Sequence, residues 1–98
     1  MPFRHVVMFQ WSDGLGDDHV GRVRDGLDAL PPVIEQIRGY VHGPDLGVTE
    51  GNFDYVLVAD FDTEEDFLVY RNHPVHQQFI ADVITGNTAN RAAVQYAT

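Results

Sequence analysis

The sequence predicts a single α+β domain in which helices cover one face of a four-stranded antiparallel sheet. Three observations predict this class: stretches that alternate in polarity with the period of a strand, stretches that repeat apolar residues with the period of a helix, and short connections between them. The 98 residues suit one domain, and a hydrophobic content of 44% is typical of a folded chain. We therefore expect residues 1–98 to form one domain.

The first predicted strand covers residues 3–11. One of its faces carries Phe3, His5, Val7, Phe9 and Trp11, and the other carries Arg4, Val6, Met8 and Gln10. Because both faces are largely apolar in the middle of the strand, each must be covered in the folded protein. Helices can cover one face, whereas the other needs further helices or a second copy of the chain.

The first predicted helix begins near Asp17, after a glycine-containing turn. Asp17 and Asp18 suit a helix N-terminus, and the apolar residues that follow keep helical spacing, namely Val20, Val23, Leu27 and Leu30. Gly21 and Gly26 each weaken a helix by about 1 kcal/mol relative to alanine, or else let it lie close to the sheet. Pro31-Pro32 ends this helix or begins a second short turn.

Two further strands are predicted in the middle of the chain. Residues 38–46 form the less regular one, with Tyr40 and His42 on one face and Gly39, Val41 and Gly43 on the other. A loop follows over residues 47–52. Residues 53–61 alternate clearly, and one face of this strand carries Phe53, Tyr55, Leu57, Ala59 and Phe61.

The second predicted helix is broken in its middle. It begins with a capping motif at Thr63, and Pro74 interrupts it because proline lacks the N–H that a helix interior needs. Pro74 also pushes His73 out of the helical region and then suits the first position of a new helical segment. The inward face of that segment carries His76, Phe79, Ile80 and Val83. The helix is expected to end near Gly86.

A last strand is predicted at residues 91–96, after a polar loop over residues 87–90. The order β-α-β-β-α-β, with short connections and right-handed crossovers, favours the ferredoxin-like arrangement. The sheet face opposite the helices would then expose Val6, Met8, Val56 and Val58. Because an exposed apolar patch usually marks an interface, we predict a homodimer through this face.

The composition argues against several classes of partner. With a formal net charge of −9 and only six basic residues, all arginine, the surface repels phosphate groups. We therefore expect neither nucleic acid nor an anionic membrane as a partner. No apolar run approaches the roughly 20 residues of a membrane span, and no secretion signal precedes the first strand. The absence of cysteine suits the cytoplasm, where we expect the protein to act.

Several short segments form a recognisable set. They are Arg4-His5-Val6-Val7-Met8-Phe9, Leu30-Pro31 followed by Ile34 and Ile37, Gly43-Pro44-Asp45, Phe53-Asp54-Tyr55, and Tyr70 with His73-Pro74-Val75-His76. In this combination they closely resemble the stress-responsive A/B barrel (Dabb) family, over nearly the whole chain. The paired histidines around a proline are the most specific part. The resemblance implies a homodimeric α+β barrel, in agreement with the topology.

The resemblance also implies a candidate chemistry. One plant branch of the family contains the polyketide cyclase olivetolic acid cyclase, whose working residues match Tyr70 and His76, with a histidine at the position of His5 in the same pocket. By that resemblance His76 would remove an acidic proton between two carbonyls, and Tyr70 would hydrogen-bond the oxygen that becomes negative. Family members commonly carry an aspartate that can orient the second histidine. Here Gln95 stands instead, which can accept an imidazole N–H but carries no charge.

We predict an apolar pocket between the sheet and the second helix. It would be lined by Val7, Phe9, Leu57, Phe61, Phe79 and Val83, with His5, Tyr70, His73 and His76 as its polar groups. Three functions fit this prediction. The protein is a homodimer that binds a hydrophobic or phenolic small molecule, with no assigned activity; or a cofactor-free enzyme for aldol-type cyclisation or proton transfer; or a structural dimer whose pocket is filled.

The same residues have structural interpretations. His76 fits a core histidine, Tyr70 a buried ring with a bonded hydroxyl, and His73 a residue at a helix start. The histidines lack the carboxylate or thiol neighbours typical of a zinc or iron site, so we predict no metal, with a hard cation at the dimer interface as an alternative. No glycine-rich phosphate loop or nucleophilic serine motif occurs, and we predict no cofactor.

Overall fold

The chain forms four strands and three helices in the computed structural model, which describes residues 1–98. The strands are β1 (Phe3–Trp11), β2 (Gly39–Pro44), β3 (Tyr55–Phe61) and β4 (Thr88–Ala97), and the helices are α1 (Asp17–Asp28), α2 (Glu64–Asn72) and α3 (Pro74–Phe79). A π-helical turn over Ile80–Ile84 continues α3. No helix has both the length and the apolar character needed to cross a membrane.

The strands form one antiparallel sheet in the order β2-β3-β1-β4. The central strand β1 pairs with β3 on one side and with β4 on the other, so that His5 lies opposite Ala59 and Gln95. The helices cover one face of this sheet, and the core lies between them and that face. This is the ferredoxin-like fold predicted from the sequence, and the prediction is confirmed.

The core combines side chains of the covered sheet face with side chains of the helices. The sheet contributes Val7, Phe9, Tyr55, Leu57, Ala59 and Phe61, and the helices and the adjoining turns contribute Val23, Leu27, Leu30, Ile34, Phe67, Tyr70, Phe79 and Ile84. Two histidines are buried with them, His5 at 6% and His19 at 2% exposure. One of these, His5, belongs to the site described below.

Helix α1 packs closely against α3 at Gly26. A Cβ atom at this position would overlap the ring of Phe79 in α3, whereas a Cβ atom at Gly21 would meet nothing within 4 Å. The sequence suggested that glycines bring this helix close to the sheet. The close contact at Gly26 is instead with the third helix, because Phe79 fills the space between α1 and the sheet.

Local hydrogen bonds set the element boundaries. Strand β3 begins later than predicted, because the carboxylate of Asp54 accepts the N–H of Trp11 at 2.8 Å in place of a ladder carbonyl. Strand β4 begins earlier than predicted, at Thr88, because its polar residues lie on an edge strand where side chains face water. Helix α2 starts after Thr63, whose hydroxyl accepts the N–H of Asp66 at 3.1 Å, as the predicted capping motif requires.

The break between α2 and α3 lies at His73, where the backbone is extended with φ −63° and ψ 133°. Pro74 occupies the start of α3, as predicted, and the Nδ1 atom of His73 accepts the N–H of Val75 at 3.2 Å. The break therefore ends α2 shortly after Tyr70 and starts α3 shortly before His76. It brings these two side chains together.

Candidate functional site

A cavity of about 240 Å³ lies between the sheet and the broken helix. Its apolar wall consists of Val7, Phe9, Leu27, Leu57, Phe67, Phe79, Ile80 and Ile84, and its polar groups are His5, Tyr70, Arg71, His76, Gln77 and Arg91. A mostly apolar wall with a few convergent polar side chains is the usual form of a small-molecule site.

Seven of the ten residues expected at the pocket line this cavity, namely His5, Val7, Phe9, Leu57, Tyr70, His76 and Phe79. Phe61, His73 and Val83 do not. Phe61 is 2% exposed and packs behind the cavity against the rings of Phe67 and Tyr70. The Nδ1 atom of His73 accepts a hydrogen bond from the N–H of Val75 at the start of α3.

Val83 is displaced from the cavity by the π-helical turn. The turn is closed by a hydrogen bond from the Thr85 N–H to the Ile80 carbonyl at 2.8 Å, and it presents Ile80 and Ile84 to the cavity. Regular α-helical spacing predicted Val83 on this face, because nothing in the sequence signals the wider turn. Single π-turns of this kind are frequent at functional sites.

The sequence analysis missed the two arginines of the cavity. Arg71 belongs to the segment around Pro74 and could have been included on that ground alone. Arg91 lies opposite Phe9 in the pairing of β1 with β4, so its side chain shares the covered face of the sheet. That register cannot be read from the sequence without knowing where β4 begins.

The imidazole of His76 has a defined tautomer. Its Nδ1 atom lies 3.0 Å from the backbone carbonyl oxygen of Arg71. Because a carbonyl oxygen only accepts, Nδ1 carries the hydrogen and donates it, which leaves a lone pair on Nε2. Burial lowers the pKa of His76 below its ordinary value, more than the hydrogen bond to Arg71 raises it. His76 is therefore a neutral base at pH 7.

Tyr70 packs beside His76, with their ring centroids 4.3 Å apart. It is 2% exposed, and its hydroxyl lies 2.8 Å from the hydroxyl of Tyr40. Burial raises the pKa of Tyr70 to about 12, and it also raises the pKa of Tyr40. Both phenols are therefore neutral. When Tyr40 donates the hydrogen bond between them, the O–H of Tyr70 is free to donate to a ligand oxygen.

His5 forms the other polar corner of the cavity and is held by Gln95. The Nε2 amide nitrogen of Gln95 lies 2.9 Å from Nδ1 of His5, because the two residues are directly opposite in the ladder of β1 and β4. The sequence analysis placed Gln95 beside His76, where other family members have an aspartate. In this chain the glutamine instead holds His5, and the Arg71 carbonyl takes the corresponding place beside His76.

The electrostatic environment keeps His5 uncharged. The pKa of His5 is lowered from 6.5 to about 4, mainly by burial and also by the nearby charges of Arg91 and of a protonated His76. No group of three or more histidine, cysteine or carboxylate side chains in residues 1–98 is arranged to hold a metal ion. The polar chemistry of the cavity thus consists of neutral imidazoles, a phenol, an amide and two guanidinium groups.

Comparison with known proteins places this geometry in a family. The model of the stress-responsive A/B barrel domain (Dabb) matches residues 3–98. The chain belongs to this family. The resemblance identified from the sequence is therefore confirmed.

Several individual proteins are similar to this member of the A/B barrel family. A stress-response A/B barrel domain-containing protein of Arabidopsis thaliana is 22% identical over 97 residues, which cover 97% of this chain and 88% of the plant protein. A dimeric ferredoxin-like protein of unknown function from Thermobifida fusca is 40% identical, with a TM-score of 0.92 over 100% of this chain and 92% of that one. A hydroxynitrile lyase from Passiflora edulis has the same fold, with a TM-score of 0.85 at 18% identity, covering 99% and 93% of the two chains.

Proposed function

We propose that this A/B barrel protein is a homodimer that binds a small, largely apolar molecule in the cavity between the sheet and the broken helix. One observation carries the proposal: His5 from β1 and the pair Tyr70 and His76 from the broken helix converge on a single apolar-walled cavity. Nδ1 of His76 is bonded to the Arg71 carbonyl and Nε2 has no partner in the protein, so a ligand in the cavity can use Nε2. The cytoplasmic location expected from the sequence stays a prediction.

The uncovered sheet face supports the homodimer. Val94, Val6, Val58 and Val41 are adjacent in the ladders of the four strands and form a continuous row of valines across the sheet. Val41 and Val94 are 65% and 62% exposed, and Met8 beside this row is 40% exposed. Pairing this face with the same face of a second copy would cover the row. The similar protein from Thermobifida fusca is described as dimeric.

Ligand binding is tested by an NMR titration of the imidazole signals with a panel of phenolic and polyketide-like compounds. We expect saturable shifts of His5 and His76, which line the cavity, and no shift of His19, which is buried elsewhere in the domain. His19 thus serves as an internal control for general effects of the compounds. If no compound moves either cavity histidine, side chains fill the cavity in solution and the binding proposal is wrong.

A second candidate function is cofactor-free catalysis on a carbonyl compound, by aldol-type cyclisation or proton transfer. It is favoured by the free lone pair on Nε2 of His76, whose ring packs against the ring of Tyr70. Nε2 would take a proton from a carbon next to a carbonyl group, while Nδ1–H stays bonded to the Arg71 carbonyl. Tyr70 would donate to the carbonyl oxygen as it becomes an enolate oxygen. The enolate carbon would then attack a second carbonyl, whose oxygen would take the proton back from Nε2 and restore the neutral imidazole.

The two candidates are separated by turnover of a linear polyketide-like substrate. We expect His76→Ala and Tyr70→Phe to lower the rate by at least about 100-fold, the range typical of a lost general base or oxyanion donor, while ligand binding persists. Tyr96→Phe is the matched control, since Tyr96 lies on the edge strand and is 46% exposed. Absence of turnover in the unmodified protein, together with ligand binding, eliminates the catalytic candidate and leaves the first.

A further inference from the structure

Two of the six arginines of this chain have a carboxylate partner, and four have none. Arg4 and Arg38 form ion pairs, with Asp60 at 2.7 Å and with Asp62 at 3.0 Å. Arg71 and Arg91, by contrast, both line the cavity, and neither is engaged in an ion pair or a side-chain hydrogen bond. Two guanidinium groups with all their donors available therefore stand at one small site.

The cavity is an exception to the charge of the whole molecule. The chain carries 15 acidic and six basic residues, yet no aspartate or glutamate lines the cavity. Arg22 and Arg24, the other arginines without an ion pair, lie on α1 and do not line the cavity, so Arg71 and Arg91 are the two unpaired arginines that share one site. The exclusion of carboxylates from the cavity leaves a local charge of about +2 from the two guanidinium groups, since the imidazoles are neutral.

The positions of the two side chains suit a cavity mouth. Arg71 lies in the last turn of α2, Arg91 lies on the edge strand β4, and both are exposed overall while still lining the cavity. An arginine in this situation lays its apolar stem along the wall and keeps its charged head in water. The guanidinium fork matches a carboxylate through paired N–H donors.

We infer that the cavity takes a small ligand whose apolar body carries a single carboxylate, which Arg71 and Arg91 hold at the mouth. The apolar wall would receive the body of the ligand, and Tyr70 with His76 would face a polar atom further in. The volume of about 240 Å³ lies below the range of drug-sized sites, which favours a ligand of about one ring. This inference rests on the proposed ligand-binding function and specifies its ligand class.

The two imidazoles supply an independent readout. The positive charge of Arg91 is one cause that lowers the pKa of His5, and the charge of Arg71 is one cause that lowers the pKa of His76. A bound carboxylate offsets these charges, so the pKa of both histidines should rise when the ligand binds. A neutral ligand should leave these charges as they are.

The test compares phenylacetate with its neutral isostere phenylacetamide, by calorimetry and by NMR titration at neutral pH. We expect the carboxylate to bind at least about tenfold more tightly, as a charge-assisted hydrogen bond to arginine predicts. Its affinity should fall as ionic strength rises, whereas the affinity of the amide should not. Arg71→Gln and Arg91→Gln should each weaken phenylacetate binding about tenfold and leave the amide unchanged.

Arg22→Gln is the control, because it removes the same charge from α1 at a position that does not line the cavity. Thermal unfolding of each variant checks that the exposed substitutions leave the fold intact. Equal affinity for the two probes overturns this inference and leaves the proposed function standing. A preference for phenylacetate that survives in both cavity variants also overturns it. Binding of neither probe to the unmodified protein also overturns this inference, and the proposed function is overturned with it only if the phenolic and polyketide-like panel leaves His5 and His76 unshifted as well.

Discussion

At the scale of single residues, His5 links the site to stability. Its pKa falls from 6.5 to about 4 on folding, so the unfolded chain binds more protons between these two pH values. The contribution of His5 to the free energy of unfolding is therefore complete above pH 6.5. It is lost as the pH falls towards 4, because the buried imidazole resists protonation while the unfolded one does not.

We predict that replacing His5 with glutamine, which does not titrate, makes the free energy of unfolding less dependent on pH. The unmodified protein should lose up to about 3 kcal/mol more than His5→Gln between pH 7 and about pH 4, since one pKa unit corresponds to about 1.4 kcal/mol. Urea unfolding at the two pH values measures this. His19 also has a lowered pKa and titrates in both proteins, so its contribution cancels in the comparison. The charge of His76 lowers the pKa of His5, so the coupling of these two histidines is part of the difference that is measured. Equal losses in the two proteins would contradict the buried, neutral state of His5.

Sequence reasoning identified residue types well but contacts less well. Tyr70 and His76 were placed in one site by the resemblance to the A/B barrel family, and the break that brings them together was predicted from Pro74, because proline chemistry is local. Gln95 was assigned to the wrong histidine because its partner depends on strand pairing. The register of β4 against β1 puts Gln95 opposite His5, and a register is a property of two distant segments.

At the scale of elements, the packing of α1 against α3 depends on Gly26. We predict that Gly26→Ala lowers the free energy of unfolding by about 1–3 kcal/mol, because the added methyl overlaps the buried ring of Phe79. This cost exceeds the roughly 1 kcal/mol that alanine contributes as a better helix former. Gly21→Ala in the same helix is the matched control and should instead raise stability by up to about 1 kcal/mol.

Urea or thermal unfolding of the two glycine variants measures the difference between them. If Gly26→Ala is as stable as Gly21→Ala, Phe79 moves aside freely and does not fix the position of α1. The contrast cannot be predicted from the sequence, where the two glycines look alike. It depends on which face of α1 meets a third element, and only the folded chain shows that.

At the scale of the whole molecule, the alternation of β1 was the most informative sequence signal. Both faces of β1 are apolar and must be shielded from water, and the helices shield only one of them. The structure adds that the uncovered apolar residues align into the valine row across all four strands. The fold could be predicted because polarity patterns are local. The alignment of the row could not, since it depends on the registers of three strand pairs.

We predict that Val58→Asp, in the middle of the valine row, converts the protein to monomers or to aggregates. A carboxylate there would be buried against a second copy of the same face without a partner, which costs more than the pairing of the two faces contributes. Met8→Asp, on the same face, should act in the same way. Light scattering coupled to size-exclusion chromatography measures the mass of each variant.

Val33→Asp is the control for the assembly experiment, because Val33 is 53% exposed but lies in the turn after α1, outside the sheet. This variant should keep the mass of the unmodified protein. An unchanged dimer in Val58→Asp and Met8→Asp would mean that the two copies meet through another surface. A monomeric unmodified protein would mean that the valine row is exposed in solution. In that case the cavity must bind its ligand within one chain, and titration of His5 and His76 would show the same shifts at every protein concentration.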